Sequence, residues 1–236
     1  MIDGLGVLAI TAVSLGVVHT LTGPDHYIPF VAMAEARKWN IFKTMSITFI
    51  SGLGHILSSV VIGLVGVSIG SSLDKFKIFE NARGEIASWL FIAFGLVYLI
   101  YGIKRAMRNE SHEHKHYHLN IPTHSHAHSH DDEHLHLHEN GKKDISAWVL
   151  FTLLVFGPCE PLIPLLIIPA MKNSVTGTIL ITVLFGLATI ITMMGTVLVL
   201  YFGVKKTLSD RLFRFNHALA GGAILLSGLA VKIFKL

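Results

Sequence analysis

His19-Thr20-Leu21-Thr22-Gly23-Pro24-Asp25-His26 is the stretch that decides how this chain folds. It places two histidines and a carboxylate in the first strongly apolar segment, on either side of a Gly-Pro pair. Glycine and proline interrupt a helix and free backbone groups. A broken helix survives inside a bilayer only where it faces protein or a wet cavity. An ionisable residue at that depth points to a functional site.

Composition supports the membrane setting. The chain has 236 residues, is 52% hydrophobic and has only 14% Asp, Glu, Lys and Arg, against ~25% charged in a soluble domain. Several mostly apolar runs reach the ~18 residues that a spanning helix needs. Six spans are expected, at about 8–35, 44–70, 86–107, 146–170, 175–204 and 214–235. The net charge of +4 then reports basic loops and implies no nucleic-acid partner. Met1-Ile2-Asp3-Gly4 has no basic n-region, so no cleaved signal peptide is expected. The single cysteine, Cys159, excludes an internal disulfide.

The second loop, Ser71 to Glu85, is short and of mixed charge. The third is different. Eleven histidines, His112, His114, His116, His118, His124, His126, His128, His130, His134, His136 and His138, alternate there with polar residues and with Asp131, Asp132 and Glu133. Such a composition builds no packed core, so residues 111–144 are expected to be disordered without metal. His-x-His repeats bind divalent nickel, copper, cobalt or zinc through neutral imidazole, which makes this loop a metal buffer. Loops one, three and five carry thirteen Lys and Arg, and the opposite side six, Arg83 among them. The positive-inside rule puts the histidine loop in the cytoplasm and both termini outside a cell membrane.

The two halves, 1–110 and 145–236, repeat. Gly23-Pro24 matches Gly157-Pro158 at an offset of 134, which also aligns Ile47-Thr48 with Ile181-Thr182 and Gly52-Leu53 with Gly186-Leu187. Gly95 and Gly102 match Gly221 and Gly228 in the third helix of each half. Three helices per half is odd, so the second half must be inverted. The expected fold is an all-α membrane protein of six helices, in two inverted three-helix repeats whose first helices are broken at Gly-Pro.

Asp25, Glu35 and Glu160 are the carboxylates expected at membrane depth, with Glu35 at the interface beside Arg37 and Lys38. The repeat superposes Asp25 on Cys159 and His26 on Glu160. A lone charge at mid-bilayer costs ~3 kcal/mol or more, and a cation would supply the missing partner. The expected metal ligands are His19, Asp25, His26 and His55, with Glu160 and Cys159 from the other half. Imidazole and carboxylate suit nickel, cobalt, zinc or iron(II).

At these residues the chain resembles a family. His19 to His26 is similar to the His-Ala-Leu-Thr-Gly-Pro-Asp-His signature of urease-accessory-type membrane proteins, in the nickel/cobalt transporter superfamily. Gly54-His55 resembles the Gly-His of the permeases, and Phe156-Gly157-Pro158-Cys159-Glu160-Pro161 resembles the superfamily's Pro-Cys-x-Pro element. The histidine-rich loop is similar to that of the exporters. The spacing from the first histidine to Asp-His, and the helix number, depart from the permeases.

The resemblance implies a secondary transporter with Ni2+ or Co2+ as cargo, no resident cofactor, no catalytic residue, and a divalent ion, the lipid bilayer and a cytoplasmic metallochaperone as partners. Its direction leans to uptake, with efflux as the alternative. Two readings of other classes stand beside it. Gly157-Pro158-Cys159-Glu160-Pro161 also resembles transmembrane thiol–disulfide proteins, although that chemistry needs a second thiol. The chain could also sense metal without moving it.

Overall fold

The computed structural model describes residues 2–68, 73–107, 112–115, 125–128, 145–157, 159, 161–162, 164–165, 174–207 and 214–234. Its helices are α1 (Ile2–Thr22), α2 (Ile28–Ala36), α3 (Ile41–Ser68), α4 (Leu73–Met107), α5 (Ile145–Phe156), α6 (Val175–Thr207) and α7 (Asn216–Phe234), with a 3-10 turn at Pro24–His26 between α1 and α2. Five of the described helices are long and apolar enough to cross a membrane, and α5 is shorter. Among the described residues the chain is an all-helical membrane protein but for one small ribbon.

Its surface is that of a membrane protein. Val7, Ile10, Val61, Ile191, Val199 and Leu226 are exposed, whereas Thr20, Thr48, Ser51, His55, Ser59 and Thr189 are buried. Apolar side chains outside and polar ones inside suit a solvent of hydrocarbon, where polar groups must be satisfied internally. Phe30, Met33, Leu150, Leu154, Met193 and Ile224 make the main apolar core.

The first expected span breaks where the sequence predicts. The Gly23 N–H still reaches His19 O at 3.0 Å. Pro24 has no N–H to offer the Thr20 carbonyl, so the helix cannot continue. The turn then closes through His26 N–H to Gly23 O at 3.1 Å. Helix α2 ends at Ala36; just beyond it Lys38 adopts φ 53°, and the Trp39 N–H returns to Ala34 O at 2.9 Å. This is a left-handed helix cap of the kind usually made by glycine.

Three expectations need correction. Of the loop expected from Ser71 to Glu85, the stretch from Leu73 onward is helical, since α4 starts there and runs for 35 residues, and 71–72 lie outside the described residues. Its mixed charges are tolerated because Glu80 and Arg83 pair with each other inside the protein. The span expected at 146–170 is helical as α5 only to Phe156, and 166–170 lie outside the described residues. In the histidine-rich segment, His112–Lys115 and Ser125–His128 form an antiparallel ribbon pairing His112 with His128 and His114 with His126. The His-x-His alternation has the two-residue period of a strand, which leaves it free to pair in this way. The other loop histidines lie outside the described residues.

Helices α4 and α7 pack tightly and antiparallel. Gly95 lies on Leu225 and Gly221 on Leu99, while Gly102 lies on Ala218 and Gly228 on Ile92. Each contact has its mirror in the other helix. Around this pair α1 packs on α6, and α3 on α5.

Candidate functional site

The two helix breaks meet at one cluster. His19 comes from the last turn of α1, His26 from the 3-10 turn and His55 from the middle of α3. One ring nitrogen from each lies within 4.8 Å of the others. The His26 ring stands edge-on to both neighbours, with centroids 4.8 Å from His19 and 5.1 Å from His55. His26 and His55 are 2% and 1% exposed.

Second contacts fix the tautomers. His55 Nδ1 lies 2.9 Å from Leu154 O. That carbonyl is available because its helical partner would be the N–H of residue 158, a proline. The break in the second half therefore orients a histidine of the first. His26 Nδ1 lies 3.1 Å from Gly23 O and 3.2 Å from Asp25 Oδ1. Carbonyl and carboxylate only accept, so both Nδ1 atoms carry a proton, and in the neutral imidazole each Nε2 presents a lone pair. The Nε2 atoms of His19, His26 and His55 are buried with no hydrogen-bond partner among the described residues. Each orphaned polar atom costs ~1–3 kcal/mol. Imidazoles held from behind at Nδ1 with Nε2 free have the arrangement that metal-binding histidines adopt.

Gly23 makes the cradle possible. A Cβ there would lie 2.6 Å from His26 Nδ1 and 2.9 Å from Asp25 Oδ1. Gly157 lies against the His55 ring in the same way, with room to spare.

Of the residues expected to ligate, His19, His26 and His55 come together. Asp25 stands behind His26 as its orienting carboxylate. Glu160 lies outside the described residues. Cys159 is fully buried among Ala12, Ile56, Leu162 and Phe185 and is not one of the three gathered donors. Glu35 bonds to Lys38 and Asn216.

Sequence reasoning missed Arg83, which it counted among loop charges. Its guanidinium donates to Val155 O at 2.6 Å, Ser58 Oγ at 2.7 Å, and Ser59 Oγ and Glu80 Oε1, both at 3.3 Å. Val155 O is the next carbonyl released at the second break. The sequence signal was a pair of serines one turn past His55, facing a proline-terminated helix.

The Cytochrome C biogenesis protein transmembrane region is the family whose model matches this chain, over residues 12–230. No curated protein and no solved structure matches it. The family match encloses both breaks and corrects the resemblance to nickel/cobalt transporters, which rested on short motifs around His19–His26, His55 and Cys159. The expectation of nickel or cobalt transport falls with it. A histidine-lined helix break is a local solution to burying polar groups, and a short motif of that kind does not define a family. Of the functions weighed from the sequence, the membrane thiol-redox carrier is the one to which this family corresponds. The chain belongs to the family of the cytochrome c biogenesis protein transmembrane region.

Proposed function

We propose that this protein is a membrane carrier of the thiol-redox, cytochrome c biogenesis class, working at the facing helix breaks. The family match across both breaks carries this reading. The chain's one thiol, Cys159, follows the second break directly. With one thiol it works through mixed disulfides. The Cys159 thiolate attacks a partner's disulfide, bonds to one sulfur and releases the other as a thiolate. One thiolate of a dithiol second partner then attacks the Cys159 sulfur and releases the first partner fully reduced. The second partner's other thiolate attacks its own sulfur bonded to Cys159, closing the second partner's disulfide and releasing Cys159. One disulfide passes between partners and the chain ends as it began. Because Cys159 is buried, each exchange requires the halves to move at Gly157.

Two finer features belong to this proposal. The halves are inverted repeats, which the mirrored α4–α7 contacts and the exchange of α1–α6 for α3–α5 support. The histidine-rich side is cytoplasmic and both termini lie outside, as the basic residues favour. The test is Cys159→Ser in sealed vesicles with a dithiol donor on one side and a disulfide acceptor on the other. Loss of transfer, with a trapped mixed disulfide in the wild type, is expected. Unchanged transfer by Cys159→Ser overturns the thiol step.

One observation favours a second role for the same region. Three imidazoles converge, and their buried Nε2 atoms have no hydrogen-bond partner among the described residues. That donor set holds a divalent transition-metal ion, as a sensor or stabiliser of the break. Purified protein lacking residues 112–138 should bind one Zn2+ per chain, and His26→Ala should abolish it. Absence of binding in the parent overturns this role.

A further inference from the structure

Away from the histidines, a groove of about 720 Å³ runs between α2, α6 and α7. Val31, Leu200, Leu219 and Ala223 make its apolar wall, and among the described residues Glu35 and Asn216 are its only polar members besides Tyr27. Leu219 is exposed, so the groove opens towards the lipid-facing surface.

The polar end has a defined need. Glu35 Oε1 accepts from Lys38 Nζ at 2.8 Å and from Asn216 Nδ2 at 3.3 Å. The carboxylate cannot donate, so it fixes the Asn216 amide with its NH2 towards Glu35 and its oxygen away. Asn216 is 7% exposed, and its Oδ1 has no hydrogen-bond partner among the described residues. One turn further on, Arg37 and Lys38 are exposed. An acceptor and a carboxylate therefore lie at the end of an apolar groove, beside two cations.

We propose that this groove holds a phosphoglyceride with a primary ammonium headgroup, of the phosphatidylethanolamine type. Its acyl chain fills the apolar wall. Its phosphate meets Arg37 and Lys38, and its ammonium donates to Asn216 Oδ1 and Glu35. Complementarity of charge selects this occupant. A trimethylated headgroup has no N–H to donate, and a glycerol headgroup brings no positive charge to Glu35. Grooves between membrane helices with basic residues at the interface are known to bind lipid headgroups, and the volume lies within the ~300–1,000 Å³ of ordinary ligand sites.

The test is competitive lipid retention by the full chain, read by native mass spectrometry from bilayer discs of mixed composition. Phosphatidylethanolamine should be retained about tenfold over phosphatidylcholine, since one charged hydrogen bond is at stake. Retention should persist for the mono- and dimethylated headgroups and fall at the trimethylated one. Asn216→Leu should bring the two lipids to parity, and Ala223→Phe, which fills the groove, should reduce retention of both. The headgroup series uses the wild-type chain, so it decides the matter even if a variant does not fold. Equal retention across the series, or preference for phosphatidylglycerol, overturns the proposal.

Discussion

Removing Arg83 tests the whole account of how the second break is held. The guanidinium is 7% exposed and Glu80 2%, so the pair is out of reach of water. Arg83→Met keeps the apolar stem and deletes four hydrogen bonds. Val155 O does not become an orphan, because Ser58 Oγ still donates to it at 2.9 Å. The main loss falls on the Glu80 carboxylate, which loses its Arg83 partner inside the protein. Deleting one partner of a buried pair costs ~3–5 kcal/mol. For a chain of this length each kcal/mol moves Tm by ~2–4 °C, so Tm should fall by ~6–20 °C. Glu80→Gln added to Arg83→Met removes the charge that Arg83 balances and should restore most of that loss. The assay is thermal unfolding in detergent across the four members of the double-mutant cycle. A single variant within ~2 °C of wild type, or a double variant as unstable as the single, refutes the assignment of Arg83 as the clamp on the break.

Three further outcomes are expected. Gly23→Ala puts a Cβ 2.6 Å from His26 Nδ1, which must turn the ring away, so Zn2+ affinity should drop by ~10–100-fold, as when an outer-shell partner is lost; calorimetry on the loop-deleted protein checks it. Gly102→Val drives a side chain into the Ala218 backbone across the α4–α7 contact, where small residues let helices approach; loss of a monodisperse peak in size-exclusion chromatography is the sign. Lys38→Gly should be more stable than Lys38→Ala by ~1 kcal/mol, because only glycine adopts positive φ without cost, and both variants lose the same exposed pair with Glu35; comparing their unfolding midpoints reads the difference.

The sequence by itself determined the breaks and the histidines that matter. Pro24 and Pro158 lack the N–H that a continuous helix requires, and no tertiary context can supply it. His19, His26 and His55 stand out because a polar ring in an apolar run is costly unless something engages it. The apolar runs and the low charge fixed a helical membrane protein, since only helices and closed barrels satisfy their backbone in lipid.

Tertiary structure alone decided which groups meet across the halves. The Leu154 carbonyl reaches His55, the Val155 carbonyl reaches Arg83, and Cys159 settles among Ala12, Ile56 and Phe185 instead of joining the histidines. Such pairings depend on how two helices cross, and residues about a hundred positions apart carry no local signal of it. Arg83 looked like a loop charge because its partners, Glu80 aside, lie on α3 and α5. The His19–His26 motif pointed to the wrong family, because the same short break answers the same physical need in unrelated settings, whereas Gly157-Pro158-Cys159-Glu160-Pro161 pointed to the thiol–disulfide class that the family match supports.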